Sequence, residues 1–260
     1  MQKFVGTILV VLVCLAVFAS PVIAGDVLGP GDIAIIGYNF DNDDEFAFVC
    51  LKEVSAGTEI RFTDQGWKTD NTFLGFEKDG PLSWQAPSTG CKLGEIVKIR
   101  VLDYYTNMSL NPNGDQIIVY QQLETGTKLI YALNAAGPNW MAEATNENNS
   151  SIPNALSSLT PSPLISITAY DNAIYIGSKS FTTTTDALAA IVDINNWSGD
   201  NSVRQTMPTG SFSFTTTAVH MSEFSAEVGG ESAPWWALVG LVIIPILILV
   251  VKRPKRNCCK

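Results

Sequence analysis

The sequence contains one tight group of acidic side chains that could bind a metal ion. The stretch "NFDNDDEF" places Asp41, Asp43, Asp44 and Glu45 within five positions. A hard cation with oxygen ligands would relieve the repulsion between these carboxylates, so one hypothesis is a calcium site, with Asp64 as a further ligand if its loop lies at the same end of the domain. The alternative is a solvated hairpin turn without an ion, since no glycine follows as an EF-hand loop requires.

The residue types most often used in catalysis are scarce. The one histidine, His220, lies in 217–234, a stretch without sustained periodicity that predicts a flexible stem. A Ser-His-Asp or Cys-His site therefore cannot be assembled within the folded domain, and no HExxH, GxSxG or phosphate-binding glycine loop occurs. We expect no enzyme, although two of the 25 acidic residues could form the carboxylate pair of a hydrolase, which stays a third hypothesis.

Tryptophan side chains are a second candidate for recognition. Exposed aromatic rings stack on sugars or anchor protein partners, and the alternative is that they pack in the core. Trp67 follows a glycine in a turn and Trp140 opens a polar stretch. These two are predicted to present a ring face to a ligand, ahead of Trp84 and Trp197.

Cysteine usage fits an exported protein. Between the two hydrophobic ends of the chain only Cys50 and Cys91 remain. In an oxidising compartment such a pair predicts a disulfide bond, the alternative being two buried free thiols. Near the C-terminus, Cys258 and Cys259 follow the second apolar run, where reversible palmitoylation is a hypothesis.

Both ends of the chain carry targeting patterns. Residues 1–24 predict a cleaved secretory signal, with an uncleaved anchor as the alternative. The apolar run 235–251 is long enough to span a bilayer, and the basic residues in 252–260 place that tail in the cytoplasm. We therefore predict a single-pass type I protein of the plasma membrane or another secretory-pathway membrane. A GPI signal or a prokaryotic sorting tail is the alternative.

The segment between these ends is strongly acidic. All 25 acidic residues lie in 25–234, whereas five of the 16 basic residues follow residue 251. This charge excludes nucleic acid as a partner, because phosphate binding needs the opposite sign. It suits a basic partner or divalent cations, or simply keeps the domain soluble. In a eukaryotic host, sequons predict glycans at Asn107, Asn148, Asn149 and Asn196.

Alternation of apolar and polar residues recurs through 25–216 and predicts an all-β domain. In "EFAFVCLK", Phe46, Phe48 and Cys50 share one face. About eight such short strands, with turn signals between most of them, indicate an antiparallel sandwich or barrel. One segment, "TTDALAAIVDINNW", has helical spacing with Thr or Asp as N-cap. The stretch 140–163 predicts a long surface loop.

The order of several motifs resembles an uncharacterised module of bacterial secreted and cell-surface proteins. The resemblance covers about 31–214 and is carried by "GDIAIIGYNFDNDDEFAFVCLKEVSAGTEIRFTDQGW", "LGEIVKI", "LNPNGDQIIVYQ", "SIPNALSSL", "AYDNAIYIG" and "ALAAIVDINNWSG". The pairing of Cys50 with Cys91 and the apolar C-terminal anchor depart from the bacterial pattern. This departure brings a eukaryotic host into consideration.

The first half of the same region is also similar to the lamin-tail domain pattern. In that pattern an acidic turn leads into a strand, a "GW" follows, and a later strand begins with "GD". The matching positions are Asp44-Glu45-Phe46, Gly66-Trp67, and Leu110 with Gly114-Asp115-Gln116-Ile117. The resemblance implies an immunoglobulin-like antiparallel β-sandwich that serves display or binding.

The expected function is therefore extracellular binding or adhesion by a displayed β-sandwich, with a protein or glycan ligand. We expect recognition at the end that carries the acidic turn and Trp67, with calcium as a candidate ion. The alternative is a structural protein that associates with itself in a surface coat.

Overall fold

The computed structural model of the chain describes residues 25–75, 80–167 and 170–215. Several predicted features lie outside these residues: the signal segment 1–24, the stem 217–234 with His220, the span 235–251, and the tail 252–260 with Cys258 and Cys259. Within the described part of the chain, no helix is both long and apolar enough to cross a bilayer.

The described residues form twelve β-strands and two short α-helices. The strands are β1 (Ile33–Asn39), β2 (Glu45–Cys50), β3 (Glu59–Thr63), β4 (Leu82–Gln85), β5 (Ile96–Arg100), β6 (Gln116–Leu123), β7 (Gly126–Asn134), β8 (Leu164–Ser166), β9 (Asn172–Tyr175), β10 (Ser180–Phe181), β11 (Trp197–Asp200) and β12 (Ser213–Phe214). The helices are α1 (Asn154–Ser157) and α2 (Thr184–Ile191), with 3-10 turns at Val101–Asp103 and Ile194–Asn196.

Ten of these strands form two five-stranded sheets. The first sheet has the order β11-β9-β1-β2-β5 and is antiparallel throughout. The second has the order β4-β3-β6-β7-β8, in which only the β7–β8 pair is parallel. The all-β prediction is thus confirmed, but the expectation of purely antiparallel pairing is wrong. The long connection between β7 and β8 brings the chain back along the same direction, and β10 and β12 form a separate parallel pair.

The two sheets share one apolar core, as in a β-sandwich. The rings of Phe46 and Phe48 on β2 lie 4.9 and 5.3 Å from the ring of Phe62 on β3. Phe48 also meets Trp84 of β4 edge to face at 5.2 Å, so Trp84 is a core residue. Every residue of β2 is buried, on both faces of the strand.

A second apolar cluster covers the other face of the second sheet. Alternate residues of β6 divide between the two clusters: Ile117 and Val119 join the core, while Ile118 and Tyr120 face outward. The outer cluster comprises Trp67, Ile118, Tyr120, Leu129, Ala132 and Leu156. Leu156 belongs to α1 and is fully buried, so the prediction of a plain surface loop over 140–163 is wrong in its centre.

Helix α2 has a threonine N-cap, Thr183, which lies one position before the segment 184–197 in which the N-cap was expected. The Thr183 hydroxyl accepts a hydrogen bond from the backbone N–H of Asp186 at 3.1 Å, and the Asp186 carboxylate accepts one from the Thr183 N–H at 3.2 Å. This reciprocal capping box satisfies N–H groups that the first helical turn leaves unpaired. The helix buries Ala187, Leu188 and Ile191 against the core.

The strands run between two ends of different chemistry. The first, here named the loop end, consists of the turn 41–44, the loop 106–115 and the segment 143–149. The second, the disulfide end, consists of 51–58 and 86–94. There the predicted bond between Cys50 and Cys91 is confirmed, with a Cα–Cα distance of 6.5 Å.

Candidate functional site

A row of polar residues crosses the first sheet where it meets the loop end. The strand register aligns five neighbouring positions, which are Asp200, Asn172, Asn39, Glu45 and Arg100. Each stands at the end of its strand, where the apolar alternation gives way to turn residues. Asn39 and Asn172 are fully buried and Glu45 is 8% exposed, so their polar atoms require partners within the protein.

Glu45 is the most heavily engaged member of this polar row. Its carboxylate contacts Lys98 Nζ at 2.6 Å and Arg204 Nη2 at 2.9 Å, and it accepts a hydrogen bond from Asn39 Nδ2 at 2.8 Å. Burial alone would raise the pKa of Glu45. The hydrogen bonds from Lys98 and Asn39 and the two positive charges outweigh burial and lower that pKa. Glu45 thus serves as a paired structural anion.

The other three residues of the predicted calcium site also have separate partners. Asp43 pairs with Arg100 Nη2 at 2.5 Å, and Asp44 accepts from the backbone N–H of Leu110 at 2.8 Å. Asp41 accepts from Asn172 Nδ2 at 2.8 Å. No group of three or more acidic, histidine or cysteine side chains that could hold a metal ion occurs among the described residues. A calcium site on all four residues stays a prediction.

Three consecutive backbone N–H groups bind three different carboxylates at the loop end. The N–H groups of 109–111 donate in order to Asp64, Asp44 and Asp115, at 2.8, 2.8 and 2.9 Å. The three carboxylates come from the end of β3, from the acidic turn and from the residue before β6. The contacts thereby fix the 106–115 loop to both sheets. Asp64 does lie at the same end as the acidic turn, as the calcium hypothesis required.

The ionisation of these three carboxylates is opposed by their surroundings. Burial raises the pKa of Asp115 well above its ordinary value, and the charges of Asp64 and Asp44 add to the rise. Burial is also the main cause of the raised pKa of Asp64, to which the charge of Glu147 contributes. The pKa of Asp44 is raised by burial and by the charges of Asp64 and Asp43. The three carboxyl groups therefore favour proton uptake in the folded state.

Three polar clefts surround the turn 111–114 at the loop end. Their volumes are about 340, 300 and 310 Å³. The first is lined mainly by Asp64, Asn107, Ser109, Glu147 and Asn148; the second by Asn113, Asn134, Asn139, Met141, Asn146 and Asn149; and the third by Tyr170, Asp171 and Asn201. Amide and carboxylate groups dominate this surface. It is suited to a ligand that offers many hydrogen-bonding groups.

The predicted glycan acceptors fall into two classes. Asn107 is exposed and Asn148 half-buried, and both line the first cleft. Asn149 Nδ2 donates to Asn146 Oδ1 at 2.8 Å, and Asn196 Nδ2 donates to the Ala190 carbonyl at 2.9 Å. In the folded domain the acceptor nitrogens of Asn149 and Asn196 are thus engaged.

The structure contradicts the expectation that Trp67 presents its ring to solvent. Trp67 is only 4% exposed, and its ring meets Phe73 edge to face at 4.9 Å within the outer cluster. Its carbonyl accepts from the N–H of Ser151 at 2.9 Å, which holds the 140–163 stretch over the ring. Trp140 is half-buried against the same cluster. Neither ring is free to stack fully on a ligand in this arrangement.

Several residues that build the loop end were not foreseen from the sequence. Arg204 reaches Glu45 across 159 positions, and its guanidinium also donates to the carbonyl of Asp41. Buried Gln116 donates to the carbonyls of Asp64 and Glu147. A signal was present in part, because polar residues at either end of a run of strand-forming residues, as in "GYN" and "GDQ", often satisfy backbone groups at sheet ends.

Comparison with known proteins gives no assignment for this chain. No protein-family model matches it, and neither the curated proteins nor the solved structures contain a match. The candidate function therefore rests on the residues and the geometry described above.

Proposed function

We propose that this chain is a single-pass type I surface protein that binds an extracellular protein or glycan through the loop end of an immunoglobulin-like β-sandwich. The cleaved signal 1–24, the span 235–251 and the cytoplasmic tail 252–260 belong to this proposal and rest on sequence pattern. So do the acceptor role of the sequons and the absence of enzymatic activity.

The observation that carries the proposal is the group of three polar clefts around 111–114. Their neutral amide groups both donate and accept hydrogen bonds and cost less to desolvate than charged groups, which suits hydroxyl-rich or peptide ligands. The loop is fixed by the three carboxylate contacts to 109–111, so little conformational entropy is lost on binding.

The location of the chain termini of the described domain is consistent with this assignment. The N–H of Asp26 donates to Thr58 Oγ1 at 2.9 Å, and the N–H of Phe212 donates to the Gly94 carbonyl at 2.8 Å. Both Thr58 and Gly94 belong to the disulfide end. The described residues therefore begin and end near the disulfide end, at the opposite end of the strands from the proposed binding surface.

Binding assays on matched variants would test this proposal. Labelled 25–216 would be applied to an array of neutral oligosaccharides and to intact cells. Asn113→Ala combined with Glu147→Ala should weaken saturable binding about tenfold, as expected for one or two lost hydrogen bonds. Glu124→Ala, in the β6–β7 turn, is the matched control and should bind as the unchanged protein does. Equal binding by the loop-end variant and the control would refute recognition at the loop end.

Self-association in a surface coat is the alternative, and one observation favours it. Strand β5 is the last strand of the first sheet, and an edge strand can pair with a second copy. Immediately after it, Leu102 is 67% exposed and Tyr105 is fully exposed. Sedimentation that depends on protein concentration, and that Tyr105→Asp abolishes, would support this alternative.

A carboxylate hydrolase is the third candidate. Asp64 and Glu147 line the same cleft, and the charge of Glu147 helps to raise the pKa of Asp64, which is the property of a general acid. Hydrolysis of a panel of glycosidic and ester substrates, lost in Glu147→Gln, would support this candidate. Background rates on the whole panel would remove it.

A further inference from the structure

The third cleft at the loop end differs from the other two because an aromatic side chain belongs to its lining. Tyr170 lines it together with Asp171, Asn201 and the turn residues 112–114. Among the described residues, no tyrosine, phenylalanine or tryptophan lines the first or the second cleft. An aromatic side chain beside carboxylate and amide groups offers a ligand both an apolar surface and polar atoms.

The first two residues of this lining are held in place by contacts with strands of the first sheet. The Tyr38 hydroxyl donates to the Tyr170 carbonyl at 3.0 Å, and the N–H of Phe40 donates to the Asp171 carbonyl at 2.7 Å. The ring of Tyr170 lies against Gly199 of β11, where a β-carbon would collide with it. Tyr170 is half-buried and borders the cleft, so these contacts fix its position before any ligand binds.

Two amide side chains of the cleft each use only one of their two polar atoms within the protein. Asn201 Oδ1 accepts from the N–H of Asp171 at 3.3 Å, whereas Asn201 Nδ2 donates to no group in the described part of the chain. Asn113 Nδ2 donates to Asn111 Oδ1 at 3.2 Å, whereas Asn113 Oδ1 accepts from none of the described residues. Both side chains are exposed. Asn201 therefore offers a donor to a ligand, and Asn113 offers an acceptor.

The carboxylate of Asp171 adds further acceptor atoms to the cleft. It forms no ion pair with a basic side chain of the described residues. Asp41 and Asp200 both contact Asn172, the residue that follows Asp171, so the surroundings of the cleft are acidic. A carboxylate can accept hydrogen bonds from two neighbouring hydroxyl groups, and it repels a ligand that is itself negatively charged. The cleft is therefore suited to a neutral ligand rich in hydroxyl groups.

We propose that the third cleft binds one neutral hexopyranose unit of a glycan, with the sugar ring stacked on Tyr170. The C–H groups of the sugar pack on the aromatic ring, Asp171 accepts from two adjacent hydroxyl groups, and Asn113 and Asn201 supply one acceptor and one donor. The cleft volume of about 310 Å³ is at the lower end of the roughly 300 to 1,000 Å³ of ligand sites, which suits a single ring. The site rests on the proposed function of the loop end and narrows its ligand from a protein or glycan to a glycan.

Saturation-transfer difference NMR on the 260-residue chain would test this site with simple sugars. The probes are the methyl glycosides of glucose, mannose and galactose, each compared with its uronide, in which a carboxylate replaces the hydroxymethyl group. We expect saturable binding of at least one neutral glycoside, with a Kd on the order of 1 to 10 mM. The matching uronide should bind about tenfold more weakly or not at all, because its charge is repelled by Asp171.

Four variants assign the binding to the third cleft. Tyr170→Ala removes the stacking surface and Asp171→Asn removes a charged acceptor at nearly constant shape, so each should raise the Kd about tenfold. Tyr170→Phe keeps the ring and should bind as the unchanged chain does. Tyr105→Ala is the matched control, because it removes a fully exposed tyrosine that lines none of the three clefts, and it should also keep the binding. Circular dichroism would establish that each variant is folded.

Three results would overturn the sugar site: no saturable binding of any neutral glycoside to the unchanged chain, the same Kd for Tyr170→Ala and Tyr105→Ala, or a uronide that binds as tightly as its neutral counterpart. The proposed function would survive the first result if Asn113→Ala combined with Glu147→Ala still weakened binding to the array or to cells, and the ligand would then be a protein or a longer glycan. Equal binding by that double variant and its control would instead refute the proposed function itself.

Discussion

Removal of the Cys50–Cys91 disulfide should destabilise 25–216 by about 4 kcal/mol. The two cysteines are 41 positions apart, and the chain-entropy relation for a loop of that length gives about 4 kcal/mol at 25 °C. Both side chains are buried, at 0% and 1% exposure. Truncation of both to alanine would leave small cavities and add about 1 kcal/mol for each.

Two samples separate the cross-link from the cavities. Chemically reduced 25–216 keeps both sulfur atoms and should lose only the cross-link contribution, whereas Cys50→Ala combined with Cys91→Ala should lose more. Urea unfolding would be followed by tryptophan fluorescence. With a slope of about 2 kcal/mol per M, the midpoint of the reduced protein should fall by about 2 M.

The slope itself carries further information. Without the cross-link the unfolded chain is more extended and exposes more surface, so the slope should increase in both samples. A loss smaller than about 1 kcal/mol for the reduced protein, with an unchanged slope, would refute the reasoning. It would mean that the reduced unfolded chain keeps residual structure that holds the two cysteine segments close together, so the cross-link removes little chain entropy.

Three further predictions concern the loop end and the outer cluster. A carboxyl group with a raised pKa binds protons more readily in the folded state, so the carboxylates that hold 109–111 should make the unfolding free energy increase as the pH falls from neutral. Folding lowers the pKa of Glu45, so the unfolding free energy should fall again below about pH 4.5, the ordinary pKa of that residue. An unfolding free energy that decreases steadily from neutral pH downward in denaturant titrations would contradict this prediction. Arg204→Ala should lower the free energy of unfolding in urea by about 1 to 3 kcal/mol, because it removes a charged partner of buried Glu45. An unchanged urea midpoint would show that Lys98 alone is sufficient to neutralise Glu45. Trp67→Ala should lower the free energy of unfolding by about 3 to 5 kcal/mol in the same assay, as for other buried tryptophans, while Tyr105→Ala at an exposed site should leave it nearly unchanged. Similar losses of unfolding free energy for the two variants would argue against burial of Trp67.

The sequence pattern was sufficient to predict those elements whose formation depends on residues close together in the chain. The alternation in β2 placed Phe46 and Phe48 in the core, and helical spacing in 184–197 located α2. The disulfide followed from the export signals and the two remaining cysteines. In each case a few adjacent residues, or a simple count, decide the outcome.

Features that depend on distant segments were not predictable in the same way. The burial of Trp67 follows from contacts with Phe73 and with the 140–163 stretch, which local composition marked as a loop. The neutralisation of Glu45 requires Arg204, which the chain separates from it by 159 positions. Local composition therefore revealed the acidic cluster but not the ion pairs and hydrogen bonds that its residues make with distant segments.

The polar row across the first sheet also constrains how its strands can align during folding. Shifting β1 by one residue against β2 or β9 would turn Asn39 toward the opposite face of the sheet and replace it with an apolar neighbour. Glu45 would then lose its amide partner, and the Asn39 amide would lose its contacts with Glu45 and Gln205. Misaligned pairings would carry buried polar groups without hydrogen bonds, so the row discriminates against them energetically. The same residues that make this end of the domain polar thus select a single registration of the strands.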